Sequence, residues 1–158
     1  MQQRGAQGAA DGPAAGDDAR AAPAGALDWS AGLATGIHLL DAQHRGIFRW
    51  FADLDHAAAE QRTLLAVYTL TRLNRHMLDH FAAEEAVMRA ASFPSLEQHV
   101  AEHRAFRGRL SKLQIESARR DISADTVAFL RTWLIDHING HDMAYAPYLG
   151  WLNEQPPG

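Results

Sequence analysis

From Asp28 onward, apolar side chains recur at steps of three and four residues, the period of helices with one buried face. A first stripe runs through Leu40, His44, Ile47, Phe48, Phe51, Leu54 and Ala58. A second runs through Leu73, His76, Met77, His80, Phe81, Glu84, Val87 and Met88, and Phe93-Pro94 breaks it. Ser95 with Gln98 three residues later reads as a capping box opening a third helix. That helix turns Leu96, His99, Val100, His103, Phe106, Leu110 and Leu113 inward. Asp121 to Ser123 marks a turn, Val127, Leu130, Leu134, His137 and Ile138 form a fourth stripe, and Asn139-Gly140 loosens its end. Helices joined by connections this short pack antiparallel. The pattern therefore predicts an all-α, antiparallel, up-down-up-down four-helix bundle with an N-terminal extension and a short C-terminal segment. No strand-like alternation and no internal repeat competes with it.

Composition changes this picture at a few points. Residues 1–26 are almost entirely Ala, Gly, Gln, Pro, Asp and Arg, with no large apolar side chain after Met1. Such a segment cannot bury enough surface to offset its ordering entropy, so a disordered tail is expected there and a folded domain over residues 27–158. The tail lacks the apolar stretch of roughly 7–15 residues found in secretory signals, which makes the cytoplasm the expected location. Apolar runs are short and interrupted by Arg, Asp or His, so no membrane insertion is expected. A formal net charge of -4 argues against a nucleic-acid partner, which would require a basic surface. The absence of cysteine removes disulfides, thiolate catalysis and thiolate metal sites. What remains unusual is nine histidines.

Those histidines fall on the buried stripes. Each predicted helix carries His or a carboxylate where Leu would be ordinary. A buried carboxylate is costly unless compensated, and a metal cation compensates it. His80 and Glu84 stand four apart, as do His99 and His103. Four residues turn a helix about 400°, an offset of about 40°, with about 6 Å of rise, so each pair can reach one centre. His44 from the first helix and His137 from the fourth complete a set to which every helix contributes. Imidazole with carboxylate suits iron, zinc or manganese, and several carboxylates among several histidines inside a bundle favour two bridged metals. Spacing leaves His76 and His141 open as ligands too, since each also stands four from another candidate.

The ordered set resembles a known family. Trp29, Gly36-Ile37, Asp41 and Gln43-His44 are similar to the opening of bacterial hemerythrins. His80-Phe81-Ala82-Ala83-Glu84-Glu85 with Met88 resembles the second-helix motif of that family. Phe93-Pro94, His99, His103 and Phe106 resemble the third, and Trp133-Leu134, His137-Ile138, Asp142 and Tyr145 the last. The resemblance covers Asp28 to Leu152. It implies that His99, His103 and His137 bind one iron, that His44 and His80 bind the other, and that Glu84, Asp142 and an oxo or hydroxo group bridge the two. It also favours Asp142 over His141. A five-residue step would place Asp142 about 140° from His137 on an ideal helix, so a bend or loosening near Asn139-Gly140 is predicted. Gly46, Ala52 and the Ala/Gly tail depart from the family pattern without touching a proposed ligand.

This ligand set implies reversible binding of molecular oxygen. The iron with two histidines has five ligands and one open position, around which Leu134, Ile47 and Phe48 are the expected apolar neighbours. Oxygen carriage, storage or delivery by a monomeric binding protein, not an enzyme, is the expected role. An oxygen or redox sensor that signals to a protein partner is the alternative, and a di-iron enzyme ranks third. Carboxylate-richer sites with paired Glu-x-x-His motifs would better suit such an enzyme. A single histidine on an apolar face is more often a hydrogen-bonded core residue than a ligand. That reading is given to His38, His56, His76 and His141, of which His76 and His141 are also candidates to orient ligands. Trp50, Phe51, Phe81 and Phe106 read as core, Trp29 as packing the incoming segment, and Glu85, Glu97, Glu102 and Arg104 to Arg109 as solvated faces.

Overall fold

The computed structural model describes residues 29–154, and every regular element among them is helical. The tail expected over residues 1–26 lies outside the described residues. Four long helices span His38–Ala59 (α1), Thr63–Ala90 (α2), Leu96–Ser117 (α3) and Ala124–His137 (α4). α1 packs on α2 and α4, and α2 packs on α3. α3 and α4 meet through Phe106, whose ring stacks on Trp133 with centroids 3.8 Å apart. Short connections make successive helices antiparallel, so the predicted up-down-up-down bundle is what forms. None of the described helices is long and apolar enough to cross a membrane.

The helix ends show how the sequence closes each turn. α1 and α2 both finish in a left-handed residue that is not glycine, Gln61 at φ 54° and Ser92 at φ 52°. Around each, two backbone bonds recover the last carbonyls: Arg62 N to Ala57 O at 2.9 Å and Gln61 N to Ala58 O at 3.1 Å, then Phe93 N to Met88 O at 3.0 Å and Ser92 N to Arg89 O at 3.1 Å. This is the Schellman arrangement, and at the second site Phe93 and Met88 supply its apolar contact in one buried cluster. The capping box expected at Ser95 does not form, because Ser95 sits at ψ 21° and its side chain bonds no helical N–H. Backbone bonds replace it, with Leu96 N donating to Phe93 O at 3.2 Å. α4 is the helix with a side-chain cap, where Ser123 Oγ accepts from Thr126 N at 3.2 Å.

The entrance to α1 is fixed by buried Asp41. Its carboxylate accepts from Thr35 N (2.8 Å), Thr35 Oγ1 (2.9 Å) and Gly36 N (3.1 Å). Gly36 adopts φ 81°, which a side chain would resist. At the other end of the chain, α4 does not stop at Asn139-Gly140. It passes through a π-helical turn, Ile138–Asp142, into α5 (Met143–Leu149) and a short 3-10 turn, Gly150–Glu154. Asn153 then ties back to α1, its Nδ2 donating to Gly36 O at 2.6 Å and its Oδ1 accepting from His38 N at 3.1 Å.

The apolar core is divided. A large cluster includes Ile47, Phe51, Leu73, Phe81, Phe106 and Leu134, and a smaller one joins Ile37, Leu40, Met88, Phe93, Tyr145 and Leu149. Along α1, α2 and the α4–α5 rod, the step from one cluster to the other crosses a buried polar residue: His44, Glu84 and Asp142 respectively. A polar layer therefore cuts across the bundle between two apolar plugs.

Candidate metal centre

That layer contains all seven residues singled out from the sequence. His44, His80, Glu84, His99, His103, His137 and Asp142 are each at most 3% exposed. They form two overlapping groups, Glu84 with His99, His103 and His137, and Glu84 with His44, His80 and Asp142. Every imidazole turns Nε2 to the centre. His103 Nε2 lies 3.2 Å from Glu84 Oε2, His80 Nε2 lies 3.5 Å from the same oxygen, and His44 Nε2 is 3.9 Å from Glu84 Oε1. Asp142 divides its oxygens: Oδ1 is 3.5 Å from His99 and 3.2 Å from His137, whereas Oδ2 is 3.2 Å from His44. Both carboxylates thus face both groups.

The π-turn explains how Asp142 gets there. Met143 N donates to Ile138 O, a bond five residues long in place of the usual four. The widened turn carries Asp142 round to the face of His137, and Asp142 is fully buried. The predicted loosening near Asn139-Gly140 takes this form. His141 stays outside, half-buried and stacked on His137 with centroids 5.2 Å apart. His76 is half-buried against Gly46, His38 is exposed, and His56 is exposed beside Glu60 at 3.4 Å. None of these four is the hydrogen-bonded core residue expected for it.

The inner atoms have few partners of their own. His44 Nε2, His80 Nε2, His99 Nε2, Glu84 Oε2 and both Asp142 oxygens are buried and make no hydrogen bond. Such atoms cost about 1–3 kcal/mol each when desolvated and unpaired. His103 sharpens the point. With its Nδ1–H donating to Glu85 Oε1 at 3.0 Å, its Nε2 presents a lone pair to Glu84 and, at 3.1 Å, to His137 Nε2. Converging lone pairs repel one another unless an electrophile lies among them, and divalent cations fit this set of five imidazoles and two carboxylates.

Surrounding groups hold the donors in place. His80 Nδ1 donates to Gln43 Oε1 at 3.0 Å. Phe81 stacks on His103 at 3.8 Å, Trp133 on His137 at 4.6 Å and Trp29 on His44 at 5.9 Å. The Tyr145 hydroxyl donates to Glu84 Oε1. Burial and then the charges of Glu84 and Asp142 push the Tyr145 phenol well above its ordinary value, so it stays a donor. Burial pulls His80 down to about 4, against the Glu84 carboxylate. Burial also pulls on His44, but Asp142 and Glu84 outweigh it and leave that imidazole raised. Burial works against charge on Glu84, yet His80, His103 and His99 hold it well below the usual carboxylate range. Asp142 is opposed by burial and by Glu84, and His137 with His44 lowers it nonetheless.

The orienting roles of Glu85 and Gln43 are absent from the sequence reading. Glu85 was expected in solvent, but its carboxylate is only 21% exposed and is bonded to His103. Gln43 carried only the family resemblance. Nothing in their spacing signals a reach to α3 or α2, because each contact crosses between helices.

Comparison with known proteins agrees with this geometry. A family model described as the Hemerythrin HHE cation binding domain matches residues 35–149. The chain is 31% identical over 121 residues to a Bacteriohemerythrin of Stenotrophomonas maltophilia, covering 76% of this chain and 79% of that one. It is 31% identical over 117 residues to the Myohemerythrin of Riftia pachyptila, covering 74% and 88%. A crystal structure of wild-type hemerythrin aligns with a TM-score of 0.76 at 29% identity, over 78% of this chain and 98% of that one. With the family model matching residues 35–149 and a relative 31% identical over 76% of the chain, this chain belongs to the hemerythrin HHE cation-binding family.

Proposed function

We propose that the chain binds molecular oxygen reversibly at a non-haem di-iron centre, as a carrier, store or donor of oxygen. In this reading His99, His103 and His137 hold one iron, His44 and His80 hold the other, and Glu84 and Asp142 bridge them. The observation that carries it is the division of Asp142, one oxygen toward His99 and His137 and the other toward His44. When bound, a ferrous pair would supply the two electrons that reversible capture of oxygen needs.

The protein's own part is unequal support and exclusion of water. The two-histidine half has one imidazole fewer, which leaves room there for an exogenous ligand. Ile47, Phe48 and Leu134 belong to the adjoining apolar cluster, and Trp29 covers His44. Such walls keep out the water and protons that would turn capture into irreversible oxidation. Tyr145 donates to Glu84 and holds its carboxylate in one orientation. Five imidazoles against two carboxylates favour a binding protein over the carboxylate-rich di-iron enzymes.

The test is to quantify iron, reduce the protein anaerobically and record the visible spectrum as oxygen is added and withdrawn. Two irons per chain with an absorption that appears and disappears with oxygen is the expected result. Irreversible oxidation, or turnover with peroxide, would replace this reading with a redox sensor or an enzyme. No iron, or a single zinc, would overturn the ligand assignment.

A further inference from the structure

The imidazoles of the polar layer are not held alike. His80 and His103 are pinned by hydrogen bonds at Nδ1. His44 and His137 lie under the faces of Trp29 and Trp133. His99 has neither support: its Nδ1 is buried without a partner, and the rings around it meet it edge-on or tilted. His99 also lines a crevice of about 150 Å³ whose other walls include Ser95, Gln98, His141 and Ala144. Its Nε2 faces the cluster and its Nδ1, on the opposite edge of the ring, is buried, so the ring must turn for either nitrogen to meet an ion in this space.

The far wall of the crevice is the π-turn, which presents His141 outward and Asp142 inward. His141 stands edge-on to His99 at 5.9 Å between centroids and is half-buried. Gly140 adds no bulk, and a side chain there would meet nothing within 4 Å. A hydrated cation moving inward must exchange waters for protein donors in steps. Along this path it would meet a serine hydroxyl, a glutamine amide and an imidazole before reaching His99. Glu102, one turn beyond His99 on α3, adds a carboxylate whose charge acts on His141. A ligand that swings out to collect an ion cannot be one fixed by a hydrogen bond or clamped beneath an indole, and His99 is the cluster imidazole free of both.

We infer that this crevice is the route by which divalent metal reaches the cluster, with His141 as its first imidazole ligand and His99 as the receiving one. The inference rests on the proposal that the cluster holds iron. It is tested by mixing apo-protein with iron(II) anaerobically and following the quenching of tryptophan fluorescence, for which Trp29 and Trp133 lie against cluster histidines. His141→Phe keeps a ring on His137 and removes the nitrogens. Ala144→Leu narrows the crevice from an exposed position. Both variants should load several-fold more slowly than wild type, His141→Phe for want of the outer imidazole and Ala144→Leu because the crevice is narrower. Both should still reach two irons per chain with unchanged helicity. A wild-type rate in either variant, or a final iron content below two in His141→Phe, overturns the route. Failure of the centre itself would appear earlier and differently, as wild-type protein that takes up no iron.

Discussion

Glu85 offers a sharp test of how the protein sets its affinity for metal. Its carboxylate accepts from His103 Nδ1 at 3.0 Å and is 21% exposed, so the pair is largely withdrawn from solvent. The corresponding support on the two-histidine side is the neutral amide of Gln43, at the same distance from His80. A carboxylate raises the basicity of the imidazole that donates to it more than an amide does. The three-histidine half should therefore bind metal more tightly than its extra imidazole alone would make it. Glu85→Gln keeps an acceptor and removes the charge; Glu85→Ala removes both. Loss of such a partner typically lowers metal affinity 10–100-fold, roughly 1.4–2.7 kcal/mol. The glutamine variant belongs at about tenfold and the alanine variant at about a hundredfold.

The assay is an anaerobic titration of apo-protein with iron(II) against a competing chelator, resolved into two binding steps. Under the proposed assignment, the tighter step in wild type should belong to the three-histidine half. Glu85→Gln should weaken that step and leave the other nearly unchanged, and Gln43→Glu should strengthen the weaker one. If Glu85→Gln and Glu85→Ala both titrate like wild type, the reasoning from the carboxylate–imidazole pair is refuted. An equal weakening of both steps would refute the assignment of His103 to one half.

Three further outcomes follow from particular contacts. Tyr145→Phe leaves a buried oxygen of Glu84 without its donor, which should destabilise apo-protein by about 1–3 kcal/mol in denaturant melts; saturating iron should recover most of that, and an unchanged apo midpoint would contradict the contact. Gly46→Ala gains about 1 kcal/mol of helix propensity, but its Cβ would stand 3.0 Å from His76 Nε2. His76 is half-buried and the contact falls on the far end of its side chain, which can shift, so a net gain is expected, larger in a His76→Ala background; equal effects in both backgrounds would show that the two do not touch. Apo-protein should also lose stability as pH falls from about 6.5 toward 4. In that window the unfolded chain protonates the His80 imidazole and the folded chain does not, whereas His44, raised above the ordinary value, is protonated in both states. Guanidinium midpoints that stay flat across this interval would contradict the depressed His80.

The parts of the site that were legible in the sequence are those that lie along one unbroken helix. His80 with Glu84, and His99 with His103, announce themselves because four residues return to the same face whatever the helix packs against. Asp142 is different. By ideal periodicity His141 was the better ligand, and only the family resemblance favoured its neighbour; the π-turn that reconciles them depends on packing beyond local spacing. Glu85 was misplaced for a related reason. One residue past Glu84, it points well away from the cluster on its own helix, and it matters because α3 brings His103 alongside. Phe93-Pro94 marked the end of α2, but the turns that close α1 and α2 gave no sign, because Gln61 and Ser92 occupy positions where glycine is the usual signal. The capping box at Ser95 was a false signal, since the chain leaving Phe93 reaches α3 with Ser95 out of the extended conformation such a cap requires.

A layer of seven desolvated polar side chains works against folding, and its placement shows how the chain tolerates it. The apolar plugs on either side are built from the same helices that carry the donors, so on α1, on α2 and across the π-turn a donor is flanked along its own helix by buried residues. Leu40 and Ile47 bracket His44 on α1, and Phe81 and Met88 bracket Glu84 on α2, all of them at most 1% exposed. Ile138 and Tyr145 bracket Asp142 across the π-turn, and both are fully buried. Packing of these neighbours fixes the rotation of each helix, and that rotation aims the donor. Hydrophobic burial on both flanks thus brings these donors to one layer. A bound metal would offset the desolvation of these atoms, and by mass action it should raise apparent stability with metal concentration. Apo-protein should therefore keep its helical content when metal is removed, unlike small metal-folded domains, in which the ion itself organises the ligands. Here the two cores do that, and the polar layer is what they leave between them.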